Sequence, residues 1–287
     1  MSLGNRKNSF LFVILFSVLR GAAAEGLPFV LQEAGRFDPK MENLSGVAID
    51  TQDRLYVAGA PGVKAFDANG TLLRWMNAAS SATCVAVDGD GFVYVGMRTG
   101  IGKFDSDGKL VKTWGKRGTA ENEFRYVTGI AVSGGCVYVC DAGNRRVSRF
   151  GADGDPIDGI SGFLIPSPYF DCAVDTKGTL YVAHTGEHRI ERYDANMKLL
   201  GQWGSFGAAP DKFSGCCNPT NIALFPDGRI AMAEKGIPRL KVCDASGALL
   251  ACLGQEAFAE NAAGMDLAID SRGRIALADP AGGMIRF

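Results

Sequence analysis

The sequence predicts an all-β chain folded as a six-bladed β-propeller with four-stranded antiparallel blades. One pattern recurs six times along the chain, and the two chain ends carry complementary parts of a single unit. The units open at Gly46-Val-Ala-Ile-Asp50, Cys84-Val-Ala-Val-Asp88, Gly129-Ile-Ala-Val-Ser133, Asp171-Cys-Ala-Val-Asp175, Asn221-Ile-Ala-Leu-Phe225 and Asp266-Leu-Ala-Ile-Asp270. Successive starts are 38 to 50 residues apart, a period that belongs to propellers and solenoids.

Each unit continues alike. After its opening strand (A) comes a tight turn such as Gly89-Asp-Gly91 or Pro226-Asp-Gly228. A second strand (B) follows, for example Leu55-Tyr-Val57, Val93-Tyr-Val95, Val137-Tyr-Val139 or Leu180-Tyr-Val182. The third (C) ends on an aromatic residue, Phe66, Phe104, Phe150 or Tyr193, with Cys243 in the same column. A turn such as Asp105-Ser-Asp-Gly108 leads to the fourth (D), such as Leu110-Val-Lys-Thr-Trp114. Short β-branched runs punctuated by Gly and Asp read as hairpins. The sixth unit stops after its C strand, Met284 to Phe287, and Phe29-Val-Leu-Gln-Glu-Ala-Gly35 supplies the missing D strand. Pairing the two ends removes the open sheet edges.

Ahead of the repeats lies an export signal. Arg6 and Lys7 precede the apolar run Phe10–Leu19, and Ala22-Ala-Ala24 offers small residues for cleavage before Glu25. As a helix that run rises about 15 Å, half the hydrocarbon core of a bilayer. The expected organisation is a signal peptide over 1–24 and one propeller domain over 25–287, periplasmic or extracellular, with no integral membrane segment after cleavage, acting as a monomer. From Glu25 onward there are 27 basic and 31 acidic residues, a net charge near −4, which argues against nucleic acid as a partner. All eight cysteines lie in this portion, where an oxidising compartment permits disulfides.

Asp141, Asn144, Arg146 and Val147 form a D-x-x-N-x-R-V signature in the third unit. Trp114-Gly115, Gly118 and Phe124 precede Gly129, as Trp203-Gly204, Phe213 and Pro219 precede Asn221. On these residues the chain resembles the NHL-repeat family over essentially its whole mature length. The resemblance implies a propeller, and a family that includes scaffolds, protein or RNA binders and a few enzymes. Peptide-amidating lyases also use such a propeller, with three zinc histidines from separate blades. This chain has two histidines, His184 and His188, both in one loop, so the resemblance does not extend to that activity.

In such a propeller the A–B and C–D turns share one face, and the B–C loops and D–A connections the other. Here the first set is short and uniform and the second long and irregular, so the second is the expected binding face. The connection into the fifth unit takes six steps from Phe213 to Pro219, where the third unit takes three from Phe124 to Val127. The insertion brings the vicinal pair Cys216-Cys217, with Asn218 and Thr220 beside it. Glu234, Lys235 and Arg239 lie in the fifth B–C loop, Arg125 and Tyr126 in the third connection, and Tyr169 in the fourth. These residues are the candidate surface for a protein or small-molecule ligand.

A second reading makes the same face a metal or redox site. His184, His188, Cys216, Cys217, Cys84 and Cys172 are soft donors suited to zinc, copper or haem, and His184 and His188 have a spacing seen at zinc sites. The vicinal cysteines are alternatively a pair able to close as a disulfide. Plainer roles stand beside these: blade packing for Cys84, Cys136, Cys140, Cys172 and Cys243, and a solvated loop for the histidines. Arg146, Arg189 and Arg239 recur at one repeat position, which indicates hydrogen bonding between blades. The Asp-Gly turns need only turn chemistry, not calcium. No nucleophile motif accompanies either histidine, and no phosphate-binding Gly loop precedes a helix.

Overall fold

A computed structural model describes residues 27–287; the signal-peptide expectation lies outside them. The strands form six separate sheets of four antiparallel strands. The first five are meanders in chain order. Blade 1 comprises Glu42–Ile49, Leu55–Ala60, Gly62–Phe66 and Leu72–Asn77; blade 2, Ala82–Val87, Val93–Met97, Gly100–Phe104 and Leu110–Trp114. Blade 3 comprises Val127–Ser133, Cys136–Asp141, Arg146–Gly151 and Pro156–Ser161; blade 4, Cys172–Val174, Leu180–His184, Arg189–Tyr193 and Leu199–Trp203. Blade 5 comprises Asn221–Leu224, Ile230–Glu234, Arg239–Cys243 and Leu249–Leu253. Each A strand packs against the next, and that of blade 6 packs against that of blade 1, so the ring is closed.

Blade 6 joins the chain ends. Asp266–Ile269, Ile275–Asp279 and Met284–Arg286 are completed by Arg36–Phe37, with Arg36 opposite Arg286 and Phe37 opposite Ile285. The Ala34 amide donates to the Phe287 carbonyl and the Phe287 amide to the Gly35 carbonyl. The closing strand therefore sits slightly later than the predicted Phe29–Gly35. The start of that segment is otherwise engaged: Phe29 donates to the Leu250 carbonyl on the outer strand of blade 5. Arg286 reaches back to Glu33, and Phe37 meets Phe66 edge-on, which tie the closing strand to blades 6 and 1.

Burial follows strand position. The B strand Leu180–His184 is buried throughout because neighbouring blades cover both of its faces, whereas the D strand Leu110–Trp114 is largely exposed. Phe66, Phe104, Phe150, Tyr193 and Cys243 are all buried at the ends of C strands. The turn aspartates act locally, as turn chemistry requires: Asp105 Oδ1 accepts from the amides of Asp107 and Lys109. Among the described residues no helix is long and apolar enough to cross a membrane.

Candidate binding face and thiol pair

The loops of the expected binding face are fastened to the blades by residues at fixed repeat positions. Asp141, buried at the end of its B strand, accepts from the amides of Arg125, Tyr126 and Asn144. Asn144 donates to the Gly118 carbonyl, and Arg146 donates to the carbonyls of Thr119, Ala120 and Glu123. The signature residues thus hold the incoming linker against its own blade. In blade 5 Glu234 takes the place of Asp141, accepting from the Ser214 amide and hydroxyl. Arg239 takes the place of Arg146 and donates to the carbonyls of Ala208 and Lys212. Arg189 departs from the pattern and pairs with Glu187 and Glu191.

His184 holds the same position in blade 4 and has the same task. Its Nε2 accepts from the Leu164 amide at 2.8 Å, so its proton sits on Nδ1, which donates to Glu191 Oε1 at 2.9 Å. The ring is buried, not in a solvated loop, and both nitrogens are occupied. Burial would raise the Glu191 carboxyl, but hydrogen bonds from His184, Tyr193 and Arg189 outweigh it and bring it down to about 2. His188 points elsewhere: its Nε2 donates to the Gly215 carbonyl at 2.7 Å, and its ring meets Phe206 edge-on.

That Gly215 bond leads into the inserted loop. Asn218, fully buried, donates its amide N–H to the Thr185 carbonyl and its Nδ2 to the Lys235 carbonyl. Its Oδ1 accepts from the Lys235 amide, and Thr220 donates through both amide and hydroxyl to the Ala233 carbonyl. With its backbone held at these points, the loop presents two thiols of unlike character. Cys216 is exposed and Cys217 is buried, with their sulfurs 3.0 Å apart. Cys217 donates to Cys216, and together with the Lys235 ammonium 3.9 Å away this holds the Cys216 thiol below the ordinary cysteine range. Burial pushes the Cys217 thiol up. The Lys235 ammonium also lies 5.3 Å from the centre of the Tyr169 ring. Phe206, with 67% of its surface exposed, completes the rim.

The six metal candidates are not gathered into one centre. His184 is committed to Leu164 and Glu191, and Cys84 and Cys172 line the central channel. Among the described residues no group of three or more His, Cys, Asp or Glu side chains is placed to hold a metal ion. All eight cysteines are free thiols. Arg125 and Tyr126 form a separate patch, with the Arg98 guanidinium 4.6 Å from the centre of the Tyr126 ring.

The channel holds a feature that sequence reading passed over. Asp171 immediately precedes the A strand of blade 4, Asp266 begins that of blade 6, and the two line one small cavity with Cys84, Cys172 and Thr128. Asp266 Oδ2 accepts from the Val47 amide in blade 1 and Oδ1 from Asn221 Nδ2 in blade 5. Asp171 Oδ2 accepts from the Ile222 amide, also in blade 5. The acids therefore stitch blades together around the channel. Burial, reinforced by the charge of Asp266, pushes the Asp171 carboxyl well up, and burial pushes that of Asp266 up to about 6. The signal was the glycine beside each acid. A Cβ on Gly129 would overlap Asp171 Oδ1, and one on Gly46 would approach Asp266 Oδ2 to 3.1 Å.

The chain matches no protein-family model, and no curated protein is similar to it in sequence. Solved structures share its fold. A streptogramin B lyase structure superposes with a TM-score of 0.64 at 12% identity, over 88% of this chain and 95% of that one. Virginiamycin B lyase from Staphylococcus aureus gives 0.58 at 12% identity, over 85% and 94%. The WD40 repeats of RRP9 give 0.60 at 14% identity, over 82% and 73%. At these identities the likeness is one of fold.

Proposed function

We propose that this protein is an exported, monomeric propeller of NHL type that binds a protein or small-molecule ligand through its B–C loops and D–A connections. The observation that carries this reading is the cluster around Cys216. An exposed thiol, a lysine, a tyrosine, a histidine and an exposed phenylalanine meet on loops whose backbones are held by buried polar side chains. Such a surface is pre-organised, so a ligand binds it with little ordering cost. The linker fastening by Asp141, Asn144 and Arg146 supports the NHL reading, because each signature residue has a task there. The lyases among the structural neighbours share the fold and lend this chain no activity.

The test is site-specific photocross-linking in the producing cell. A photoreactive residue replacing Phe206 is expected to give discrete adducts. The same probe at Asp107, in a C–D turn on the opposite face, is expected to give none. Equal labelling from both faces, or none from Phe206, overturns the reading. The mass of the mature chain checks export, through loss of residues 1–24.

A further inference from the structure

We propose that Cys216 and Cys217 form a dithiol that exchanges with exposed disulfides of peptides or proteins, Cys216 attacking and Cys217 resolving. Geometry divides the roles. Cys216 is exposed on the rim of a face, not at the base of a pocket, so a bulky disulfide reaches its sulfur. Cys217 is buried directly behind it, 3.0 Å away, where no external disulfide reaches it first but a disulfide formed on Cys216 does. Lys235, 3.9 Å from Cys216, offsets negative charge on the attacking sulfur. Tyr169 under that lysine and Phe206 across His188 offer ring surface to the residues flanking a substrate disulfide. The lowered Cys216 thiol and raised Cys217 thiol agree with this order of events.

The step balances. The Cys216 thiolate attacks one sulfur of R–S–S–R, forming Cys216–S–S–R and expelling R–S⁻. Cys217 then gives up its proton and attacks Cys216 Sγ, breaking the Cys216–S–S–R bond and expelling the second R–S⁻. The two leaving thiolates take up protons. The dithiol is oxidised by two electrons, the substrate disulfide is reduced to two thiols, and the protein is left with a Cys216–Cys217 disulfide. The absence of a third soft ligand among the described residues favours this chemistry over metal binding at the pair. The inference shares a face with the proposed binding function but does not depend on the existence of a binding partner.

The experiment uses the mature reduced protein, with oxidised glutathione as probe and intact-mass and peptide mapping under acid quench. Wild type is expected to pass through one glutathione adduct on Cys216 and to end adduct-free, two hydrogens lighter, with Cys216 joined to Cys217. C217A is expected to retain the adduct on Cys216. C216A is expected to leave Cys217 unlabelled, and K235M to slow capture several-fold. A wild-type protein that keeps its adduct, or is labelled elsewhere before Cys216, overturns the proposal. Should C217A fail to fold by circular dichroism, C217S serves in its place, and the wild-type time course decides the matter without any variant. Cross-links from position 206 require neither sulfur, so failure here leaves the binding reading standing and the converse also holds.

Discussion

Glu191 and Lys241 occupy the same repeat position in adjacent blades and carry opposite charges. Each stands on a C strand and faces the last residue of its neighbouring B strand. Glu191 faces His184 and Lys241 faces Glu234, so the pair keeps its complementarity while its polarity is reversed. Asp279 and Arg286 repeat the pairing in blade 6 at 3.6 Å. In blades 4, 5 and 6 the interaction recurs while the residues change; in blades 4 and 5 the acceptor so held takes up an N–H of the incoming linker.

Removing one member should therefore cost much more than removing both. Lys241→Met leaves Glu234 buried with Arg239 as its remaining cation, and a loss of about 3 kcal/mol is expected. Adding Glu234→Gln should recover part of that loss. Urea unfolding of the two single variants and the double variant checks it; a purely additive result would show that the pair is not coupled.

His184→Ala removes the acceptor for the Leu164 amide and a donor to Glu191, with an expected loss of about 2–3 kcal/mol. It should also change the acid limb of stability. The folded Glu191 carboxyl sits near 2 against an ordinary 4.5, so its contribution is fully present above 4.5 and is lost as pH falls toward 2. In the variant that acid-dependent loss should shrink. Denaturant midpoints between pH 2 and 5 measure it.

The channel acids act in the opposite sense. Asp171 and Asp266 have raised folded-state values, so in a window that runs from an ordinary 3.8 up to about 6 for Asp266, and upward from 3.8 for Asp171, the folded protein binds more protons than the unfolded chain. Their contribution is fully present below that window and falls as pH rises through it. Asp266→Asn, which retains an oxygen for the Val47 amide, should flatten stability between pH 4 and 6 and raise it at pH 8 relative to wild type. Thermal melts across that range decide; an unchanged slope would mean the pair is not the titrating element.

Deleting residues 284–287, or 27–37, should abolish cooperative unfolding, because either cut leaves blade 6 without one side of its closing pair. Glu33→Ala, which removes only a partly exposed partner of Arg286, should cost under about 1 kcal/mol. Calorimetry distinguishes the two classes of change.

Much of this architecture is legible in one sequence. The six openings, the aromatic ends of the C strands and the split last blade are periodic, and periodicity survives without coordinates. The recurrence of Arg146, Arg189 and Arg239 pointed to hydrogen bonding between blades; Arg146 and Arg239 instead donate to carbonyls of the linker entering their own blade, and Arg189 pairs with Glu187 and Glu191. His184 misled, because a histidine after a strand looks solvated until the linker carrying Leu164 is laid over it. Asp171 and Asp266 were passed over because their partners, Ile222, Val47 and Asn221, belong to other blades. The inserted cysteines stood out because they broke the repeat, but which was exposed depended on how Asn218 and Thr220 fasten the loop.

The split construction of blade 6 has a consequence for biosynthesis. Each of the first five sheets is a contiguous run, available to form as soon as its own residues emerge from the ribosome or a translocation pore. The sixth needs Arg36–Phe37 to wait for Met284–Arg286. Until that arrives, the flank of blade 1 around Val47 and the facing flank of blade 6 around Ala268 and Ala276 have no permanent cover. A chain without Met284–Arg286 in place is thus an open horseshoe with sticky ends, and the pairing of that strand with Arg36–Phe37 is the event that turns it into a ring.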